Sequence, residues 1–89
     1  MYQRLDPRTL TLLVTGASSG IGAATVRRFA DAGAKVVAFG RRADRLEALA
    51  GEFDGRVHPV VLDVRDWDAT QAAIAGLPEA FASYNVVFA

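Results

Sequence analysis

The chain has 89 residues, of which 52% are hydrophobic and 22% charged, a composition typical of one small globular domain or a piece of a larger one. Its ten basic and ten acidic residues balance without a block of like charge, which argues against a nucleic-acid partner and an anionic membrane surface. With no cysteine, one histidine and no apolar run near the ~20 residues of a membrane span, the sequence excludes disulfides, thiolate or histidine metal sites and a membrane segment. Residues 1–8 lack the apolar core of a signal peptide and are predicted to form the loose leader of a cytoplasmic protein.

The first strand and the first helix are predicted on either side of a glycine cluster. Residues 9–15 are apolar and β-branched with almost no polar position, which is typical of a strand covered on both faces in a parallel sheet. From residue 20 to about residue 32 the apolar residues follow a helical spacing. Ser18 or Ser19 is the expected N-cap, and Gly33 suits the left-handed position after the helix.

Strands and helices continue to alternate through the middle of the chain. Residues 34–39 form a second apolar strand, and the helical spacing of apolar residues returns over residues 44–53. Residues 57–64 are the third predicted strand. Pro59 lies within it, and because proline cannot donate to a ladder, we expect this strand at an edge of the sheet.

The last part of the chain predicts one more helix and one more strand. Asp66 is the expected N-cap of the third helix. The apolar stripe of this helix consists of Trp67, Thr70, Ala73 and Ile74. Residues 77–81 are predicted to be a connecting turn, and residues 84–89 a fourth strand.

The order β-α-β-α-β-α-β defines the predicted fold class. Connections long enough for crossover helices predict an α/β fold, in which a parallel sheet has helices on both faces. The doubly wound Rossmann fold joins two such halves, and in it strand 4 lies next to strand 1. Residues 9–89 are therefore predicted to be a dinucleotide-binding half-Rossmann domain, with three helices and about four strands in the order 3-2-1-4.

The strongest functional signal is the glycine loop at residues 15–22, which reads TGASSGIG. Gly16 allows a tight turn off the strand, Gly20 lets the backbone approach a pyrophosphate, and Gly22 lets the helix pack closely against the sheet. The start of the helix offers free N–H groups and a partial positive charge to phosphates. A strand before the loop and a helix after it are the context in which these glycines indicate a dinucleotide site rather than an ordinary turn.

The glycine loop resembles the TGxxxGIG signature of the short-chain dehydrogenases/reductases, and the likeness extends from about residue 10 to residue 87. The resemblance identifies the chain as the N-terminal half of such a protein and implies that loop residues line the phosphates and the adenosine ribose of the cofactor. These residues are Gly16, Ser18, Ser19, Gly20, Ile21 and Gly22. Residues 40–42, Arg45 with Leu46, and residues 77–81 are most similar to the branch of NADP-dependent 3-hydroxy acid and serine dehydrogenases.

Two further matches to the family follow the second and third strands. Where NAD-preferring relatives carry an acidic residue, this chain has Arg41, which can pair with a 2′-phosphate, so NADP(H) is favoured over NAD. Arg42 is a second, more exposed candidate. By resemblance, the Asp63 side chain and the Val64 backbone N–H contact the adenine edge. Without the family, Arg41 reads as a solvated arginine at a helix start and Asp63 as a turn cap.

The catalytic motifs of the family have no match in this chain. The Asn-Asn-Ala-Gly motif is expected after the fourth strand, and residues 85–89 end about where its first asparagine should fall. The catalytic serine and the Tyr-x-x-x-Lys pair are expected further on. Neither Tyr2 nor Tyr84 is followed by a lysine at that spacing. We therefore assign no catalytic residue and expect an NADP(H)-binding module without efficient hydride transfer. The alternative is a structural half-fold with little cofactor affinity.

Two other phosphate or nucleophile motifs fit the sequence less well. Residues 16–20 also match Gly-x-Ser-x-Gly, the nucleophile elbow of α/β-hydrolases, which needs an acid and then a histidine later in the chain. The order is reversed here, because His58 precedes Asp63. A kinase-type phosphate loop fails because no Gly-Lys-Ser/Thr follows the glycines.

The fourth strand also predicts a partner. In the order 3-2-1-4 its outer edge is unpaired, and its residues Val86, Val87 and Phe88 are apolar. Such an edge favours pairing with another chain. Two copies related by a two-fold axis are expected to join there as a homodimer or larger oligomer.

Overall fold

A computed structural model describes residues 6–82, 84 and 86–88 of the chain. After a 3-10 helix at Pro7–Thr9, the described elements are β1 Thr11–Val14, α1 Gly20–Asp31, β2 Lys35–Gly40, α2 Ala43–Gly51, β3 Val57–Val61, α3 Trp67–Ala75, α4 Glu79–Ala82 and β4 Val86–Phe88. The four described strands form one parallel sheet in the order β3-β2-β1-β4. This order confirms the predicted half of a doubly wound fold, and it places Pro59 on an edge strand as expected.

Side chains of the two central strands alternate between two hydrophobic cores, one on each face of the sheet. The first core contains Leu12, Val14, Val36 and Ala38 with Val26 and Ala30 of α1 and Leu46 and Leu49 of α2. The second contains Leu13, Val37 and Phe39 with Phe81 of α4, and Ile74 of α3 packs against it. Because both faces of β1 are covered, all four of its residues are buried. Each fully buried Val, Leu or Phe side chain contributes roughly 1.5–3 kcal/mol relative to an exposed one.

The starts of α1 and α3 follow the predicted capping signals. Ser19 is the N-cap of α1, and its Oγ accepts a hydrogen bond from the Gly22 N–H at 3.3 Å. Asp66 is the N-cap of α3, and its Oδ1 accepts from the Ala69 N–H at 3.1 Å. Each cap satisfies a backbone donor that the first turn of a helix leaves unpaired. The bounds of α1, β2 and α2 agree with the predicted ones to within two residues.

Residues 7–9, predicted as the end of a loose leader and the start of a strand, form a 3-10 helix instead. The Asp6 carboxylate accepts a hydrogen bond from the Arg8 backbone N–H at 3.0 Å, and the Asp6 carbonyl accepts from the Thr9 N–H at 2.9 Å. These bonds make a turn ahead of β1, which therefore begins later than predicted. Residues 1–5 of the predicted leader lie outside the described residues.

The third and fourth strands are shorter than the predicted ranges 57–64 and 84–89. A turn follows β3, in which the Asp66 N–H donates to the Asp63 carbonyl at 2.9 Å. Tyr84 is exposed and precedes β4. Asn85 and Ala89 lie outside the described residues, as does the position at which the family's asparagine motif was expected to begin.

Two predictions about aromatic residues in the last part of the chain were wrong. Residues 77–81 were expected to be a turn, but α4 forms there because Phe81, only 7% exposed, packs into the second core. Trp67 was expected on the apolar stripe of the third helix, but it is 65% exposed. It is the first residue of α3, and burial on this helix begins one turn later, at Thr70.

Phe81→Ala should lower the free energy of unfolding by about 3–5 kcal/mol, because it removes a buried ring from the second core. Trp67→Ala removes a larger but exposed ring and should change this free energy by less than about 0.5 kcal/mol. Urea unfolding followed by circular dichroism measures both variants. Equal losses in the free energy of unfolding, or a larger loss for Trp67→Ala, would contradict the buried position of Phe81.

Candidate functional site

The predicted glycine loop turns from the carboxyl end of β1 into α1. Gly16 has a φ of +65°, a left-handed backbone conformation that L side chains rarely adopt, and it makes the turn off the strand. The Ala17 N–H donates to the Phe39 carbonyl at 2.9 Å, which joins the loop to β2. Ser19, the residue before α1, stabilises this turn, because its Oγ donates to the Gly16 carbonyl at 2.7 Å.

The second and third glycines of the loop differ in what requires them. A Cβ at Gly22 would overlap the Gly16 carbonyl oxygen, so the fold of the loop excludes a side chain there. The sequence predicted close packing of helix and sheet at Gly22, whereas the contact is with the loop's own backbone. A Cβ at Gly20 would meet no described atom within 4 Å. The fold therefore does not require a glycine at Gly20, and the predicted approach of a pyrophosphate remains its explanation.

Three arginines and two serines line an open cavity of about 540 Å³ beside the loop. They are Ser18, Ser19, Arg41, Arg42 and Arg45. Arg45 also donates from Nη1 to the Ser18 carbonyl at 3.4 Å, which links α2 to the loop. Within residues 6–82, none of the three arginines forms an ion pair with a carboxylate, although the charge of Arg41 acts on Asp63. Three arginine side chains at one cavity favour an anion.

Arg45 is a site residue that the sequence analysis missed. The sequence pointed to Arg45 only as one of the residues that resemble one branch of the family. A usable signal was present, because Arg41, Arg42 and Arg45 fall within five residues after β2. In parallel sheets of this kind ligands bind outside the carboxyl ends of the strands, so three neighbouring arginines at that edge indicate an anion site.

A second cavity, of about 180 Å³, brings together residues from all three predicted motifs. It is lined by Gly16, Ser18, Ser19, Gly40, Arg41, Leu62, Asp63 and Val64. The Leu62 N–H donates to the Gly40 carbonyl at 2.8 Å, so the ends of β2 and β3 lie side by side here. Because Ser18, Ser19 and Arg41 line both cavities, the two adjoin along the carboxyl edge of the sheet.

The remaining loop residues of the prediction lie outside these two cavities. Gly20 lines a third cavity, of about 260 Å³, between α1 and α2. Ile21 lies in the first turn of α1 and is 80% exposed. Gly22 is buried against the loop. The structure therefore brings Ser18, Ser19, the arginines, Asp63 and Val64 to one cleft and leaves Ile21 and Gly22 on the helix that follows it.

Asp63 is held in its charged form by its neighbour two residues on. The guanidinium of Arg65 and then the Arg65 backbone N–H lower the pKa of this carboxyl to about 2; burial opposes them, and the charge of Arg41 adds to the lowering. The Arg65 N–H donates to Asp63 Oδ1 at 3.0 Å, so the turn-cap reading of Asp63 also holds. Asp63 is thus a hydrogen-bond acceptor without a proton to donate at neutral pH.

Within residues 6–82, 84 and 86–88, no three histidine, aspartate or glutamate side chains come together as a metal site would need. None of the helices in these ranges has both the length and the apolar character to cross a membrane.

Residues 10–89 match the family model described as short chain dehydrogenase. The chain belongs to the short-chain dehydrogenase family. The serine 3-dehydrogenase of Agrobacterium fabrum is 49% identical to this short-chain dehydrogenase chain over 77 residues, which are 86% of this chain and 31% of that protein. The NADP-dependent 3-hydroxy acid dehydrogenase of Salmonella typhi is 41% identical over 78 residues, 88% of this chain and 32% of that protein.

A solved structure gives the same relationship at the level of the fold. The closed form of serine dehydrogenase complexed with NADP⁺ superposes with a TM-score of 0.84 and 37% identity, covering 88% of this chain and 32% of that one. These likenesses confirm the predicted family and branch. The chain spans about a third of the length of the relatives that it matches.

Gly22→Ala should destabilise the folded chain by about 1–3 kcal/mol, because its Cβ overlaps the Gly16 carbonyl and the loop or α1 must move. Gly20→Ala is the matched control within the same helix turn. It should leave stability unchanged or raise it by up to about 1 kcal/mol, since alanine favours a helix. Thermal unfolding without ligand measures both variants, and an equal loss at Gly20 would refute the distinction drawn between these glycines.

Proposed function

We propose that this chain binds NADP(H) through the 2′-phosphorylated ADP half of the cofactor and that its described residues do not themselves carry out hydride transfer. The observation that carries the proposal is the pair of adjoining cavities, one lined by Arg41, Arg42 and Arg45 and the other by Asp63 and Val64. The NADP⁺ bound in the similar serine dehydrogenase structure supports the choice of cofactor. The proposed ligand also agrees with the cytoplasmic location expected from the sequence.

The donor set fits a 2′-phosphate. A phosphate monoester carries about −1.5 to −2 charges at neutral pH and offers three acceptor oxygens. Arg41 and Arg42 were predicted to bind it, and Arg45 joins them in the proposal because it lines the same cavity. A ribose 2′-hydroxyl in NAD is a neutral group that would leave this positive charge uncompensated. NADP(H) is therefore the proposed cofactor and NAD the weaker ligand.

The other parts of the cofactor are proposed to bind in the neighbouring cavity and at the glycine loop. Asp63 and the Val64 N–H are proposed to contact the adenine edge. The loop residues Gly16, Ser18, Ser19, Gly20, Ile21 and Gly22 are proposed to line the phosphates and the ribose. Open space at Gly20 fits this role, since a pyrophosphate needs a backbone without a Cβ. When bound, the nicotinamide supplies a site that gives or takes a hydride.

Neither Lys35 nor Tyr84 among the described residues fits the Tyr-x-x-x-Lys pair of the family. Lys35 begins β2, at the opposite edge of the sheet from the cleft, and its Nζ donates to the Ala80 carbonyl at 3.3 Å. Tyr84 has Phe88, not a lysine, four residues later. The proposal therefore places an oxidoreductase activity in the whole protein of this family and cofactor binding in the residues described.

Calorimetric titration with NADP⁺ and NAD⁺ tests the proposal. The chain should prefer NADP⁺, and Arg41→Ala should reduce that preference by roughly tenfold or more, because a charge-assisted bond to phosphate is lost. Arg28→Ala removes the same charge from the far end of α1 and serves as the control, which should keep the preference. Gly20→Ala should weaken the binding of both nucleotides while the fold stays intact.

Each negative result of this titration has its own meaning. A folded chain that binds neither nucleotide would replace the proposal by the structural half-fold alternative. Equal affinity for NADP⁺ and NAD⁺ would retain a dinucleotide site and remove the 2′-phosphate assignment from the arginines.

The proposal extends to self-association through β4. This strand pairs with β1, and no other described strand pairs with its second edge. An unpaired apolar edge favours a second copy, and a two-fold axis would continue the sheet across the interface. Light scattering over a range of concentrations should show a dimer or larger oligomer. A monodisperse monomer at high concentration would remove this part of the proposal.

A further inference from the structure

The three arginines of the largest cavity form a row along the carboxyl edge of the sheet. Arg41 lies at one end of the row, because it also lines the smaller cavity together with Asp63. Arg45 lies at the other end, because it also lines the cavity between α1 and α2 together with Gly20. Of these three cavities, Arg42 lines only the largest. The positive charge therefore extends from the cavity proposed for the base to the glycine loop.

At the loop end of this row, Arg45 and Ser18 both have hydrogen-bond donors to spare. Nη1 of Arg45 donates to the Ser18 carbonyl at 3.4 Å, which is long for a hydrogen bond. A guanidinium has five N–H donors, and this is the one hydrogen bond that the guanidinium of Arg45 makes within the described residues. The Ser18 hydroxyl has no hydrogen-bond partner among these residues. Both side chains can therefore donate to an anion at this end of the cavity.

The connectivity of an adenosine nucleotide decides which arginine a ribose phosphate would meet. The base is attached at C1′ of the ribose and the 5′-phosphate follows C4′, so the 2′-oxygen lies towards the base and the 3′-oxygen towards the 5′-phosphate. The proposed function places the base beside Asp63 and the pyrophosphate at the glycine loop. A nucleotide bound in this way directs its 2′-oxygen towards Arg41 and its 3′-oxygen towards Arg45 and Ser18.

We propose that the cleft also binds the 3′-phosphorylated ADP group that coenzyme A carries, with Arg45 and Ser18 contacting the 3′-phosphate as Arg41 contacts the 2′-phosphate of NADP(H). This inference rests on the proposed function, from which it takes the positions of the base and the pyrophosphate. A phosphate monoester offers three acceptor oxygens and about −1.5 to −2 charges on either ribose oxygen. The cavity, of about 540 Å³, is many times the ~30 Å³ that a water molecule occupies, so it does not confine a phosphate to one position.

Two isomeric nucleotides test this inference, because they carry the same charge and differ only in the ribose oxygen that bears the second phosphate. They are adenosine 2′,5′-bisphosphate and adenosine 3′,5′-bisphosphate. In calorimetric titration of the chain, each should bind roughly tenfold more tightly than adenosine 5′-monophosphate, since each adds charge-assisted hydrogen bonds to arginine. Coenzyme A should compete with the 3′,5′-isomer for the same site.

Single variants separate the two phosphate positions. Arg45→Ala should weaken binding of the 3′,5′-isomer by roughly three- to tenfold more than binding of the 2′,5′-isomer, and Arg41→Ala should have the reverse effect. Arg45→Lys keeps a positive charge and should retain part of the affinity for the 3′,5′-isomer. Arg28→Ala removes a charge at the far end of α1 and should leave the ratio of the two affinities unchanged. A ratio measured on one variant does not depend on the stability of that variant.

The possible outcomes distinguish this inference from the proposed function. If the 2′,5′-isomer binds more tightly than the monophosphate and the 3′,5′-isomer does not, the inference is refuted and the proposed function stands. If Arg41→Ala and Arg45→Ala each weaken both isomers equally, the assignment of the 3′-phosphate to Arg45 fails. If coenzyme A does not compete with the 3′,5′-isomer, coenzyme A is not the ligand. If a folded chain binds neither isomer more tightly than the monophosphate, the 2′-phosphate assignment of the proposed function fails as well.

Discussion

The close contact between Gly22 and the Gly16 carbonyl is the constraint on which the rest of the site depends. It lets α1 begin directly after the turn off β1, because any side chain at Gly22 would push the helix away from the loop. The start of α1 then lies at the carboxyl edge of the sheet, where the partial positive charge of a helix N-terminus favours an anion. The same loop supplies Ser18 and Ser19 to both cavities, so its shape determines the cleft as well as the helix.

The net charge of the chain is zero, but positive and negative side chains are unevenly distributed along the carboxyl edge of the sheet. The residues that follow β2 present three arginines, and within residues 6–82 no carboxylate pairs with them. The residues that follow β3 present Asp63, whose charge is balanced locally by Arg65. A phosphate gains most from the first arrangement and a hydrogen-bonding base from the second. In the proposed function, the strand order β3-β2-β1 would place adenine, the 2′-phosphorylated ribose and the pyrophosphate in the order in which NADP(H) carries them.

The fold was largely predictable because its signals are local or periodic. Continuous apolar runs identified β1 and β2, Pro59 indicated an edge strand, and the Ser19 and Asp66 caps marked helix starts. The errors arose where packing between elements distant in the sequence determines the secondary structure or the burial of a residue. Four residues are too few for a helical period, so nothing in the sequence indicated α4, and only its contact with the sheet accounts for the burial of Phe81.

The sequence motifs predicted which segments line the cleft, but not which other side chains contact them. The glycine loop, Arg41 and Asp63 follow the ends of β1, β2 and β3, so their convergence on one cleft followed from the parallel topology. Arg45 reaches the cavity from a helix, which the motif at the end of β2 did not reveal. Arg65 lies two residues from Asp63, and the Asp-x-Arg spacing also occurs at Asp6 and Arg8, so it indicates the pair but not its use. Only its place beside a cavity distinguishes the first pair from the second.

The stability of this short domain and its affinity for a nucleotide are coupled through the loop. A ligand that binds only the folded chain adds about 2.7 kcal/mol of stability at a hundred times its dissociation constant. That gain is comparable with the loss of stability caused by truncating one buried side chain. In a short chain with a small core, a bound ligand can therefore contribute a large share of the free energy of unfolding. The loop both joins β1 to α1 and lines the cleft. A ligand there would restrain the backbone between these two elements, both of which contribute side chains to the first core. Binding of the proposed cofactor at this cleft would therefore also raise the free energy of unfolding of the chain.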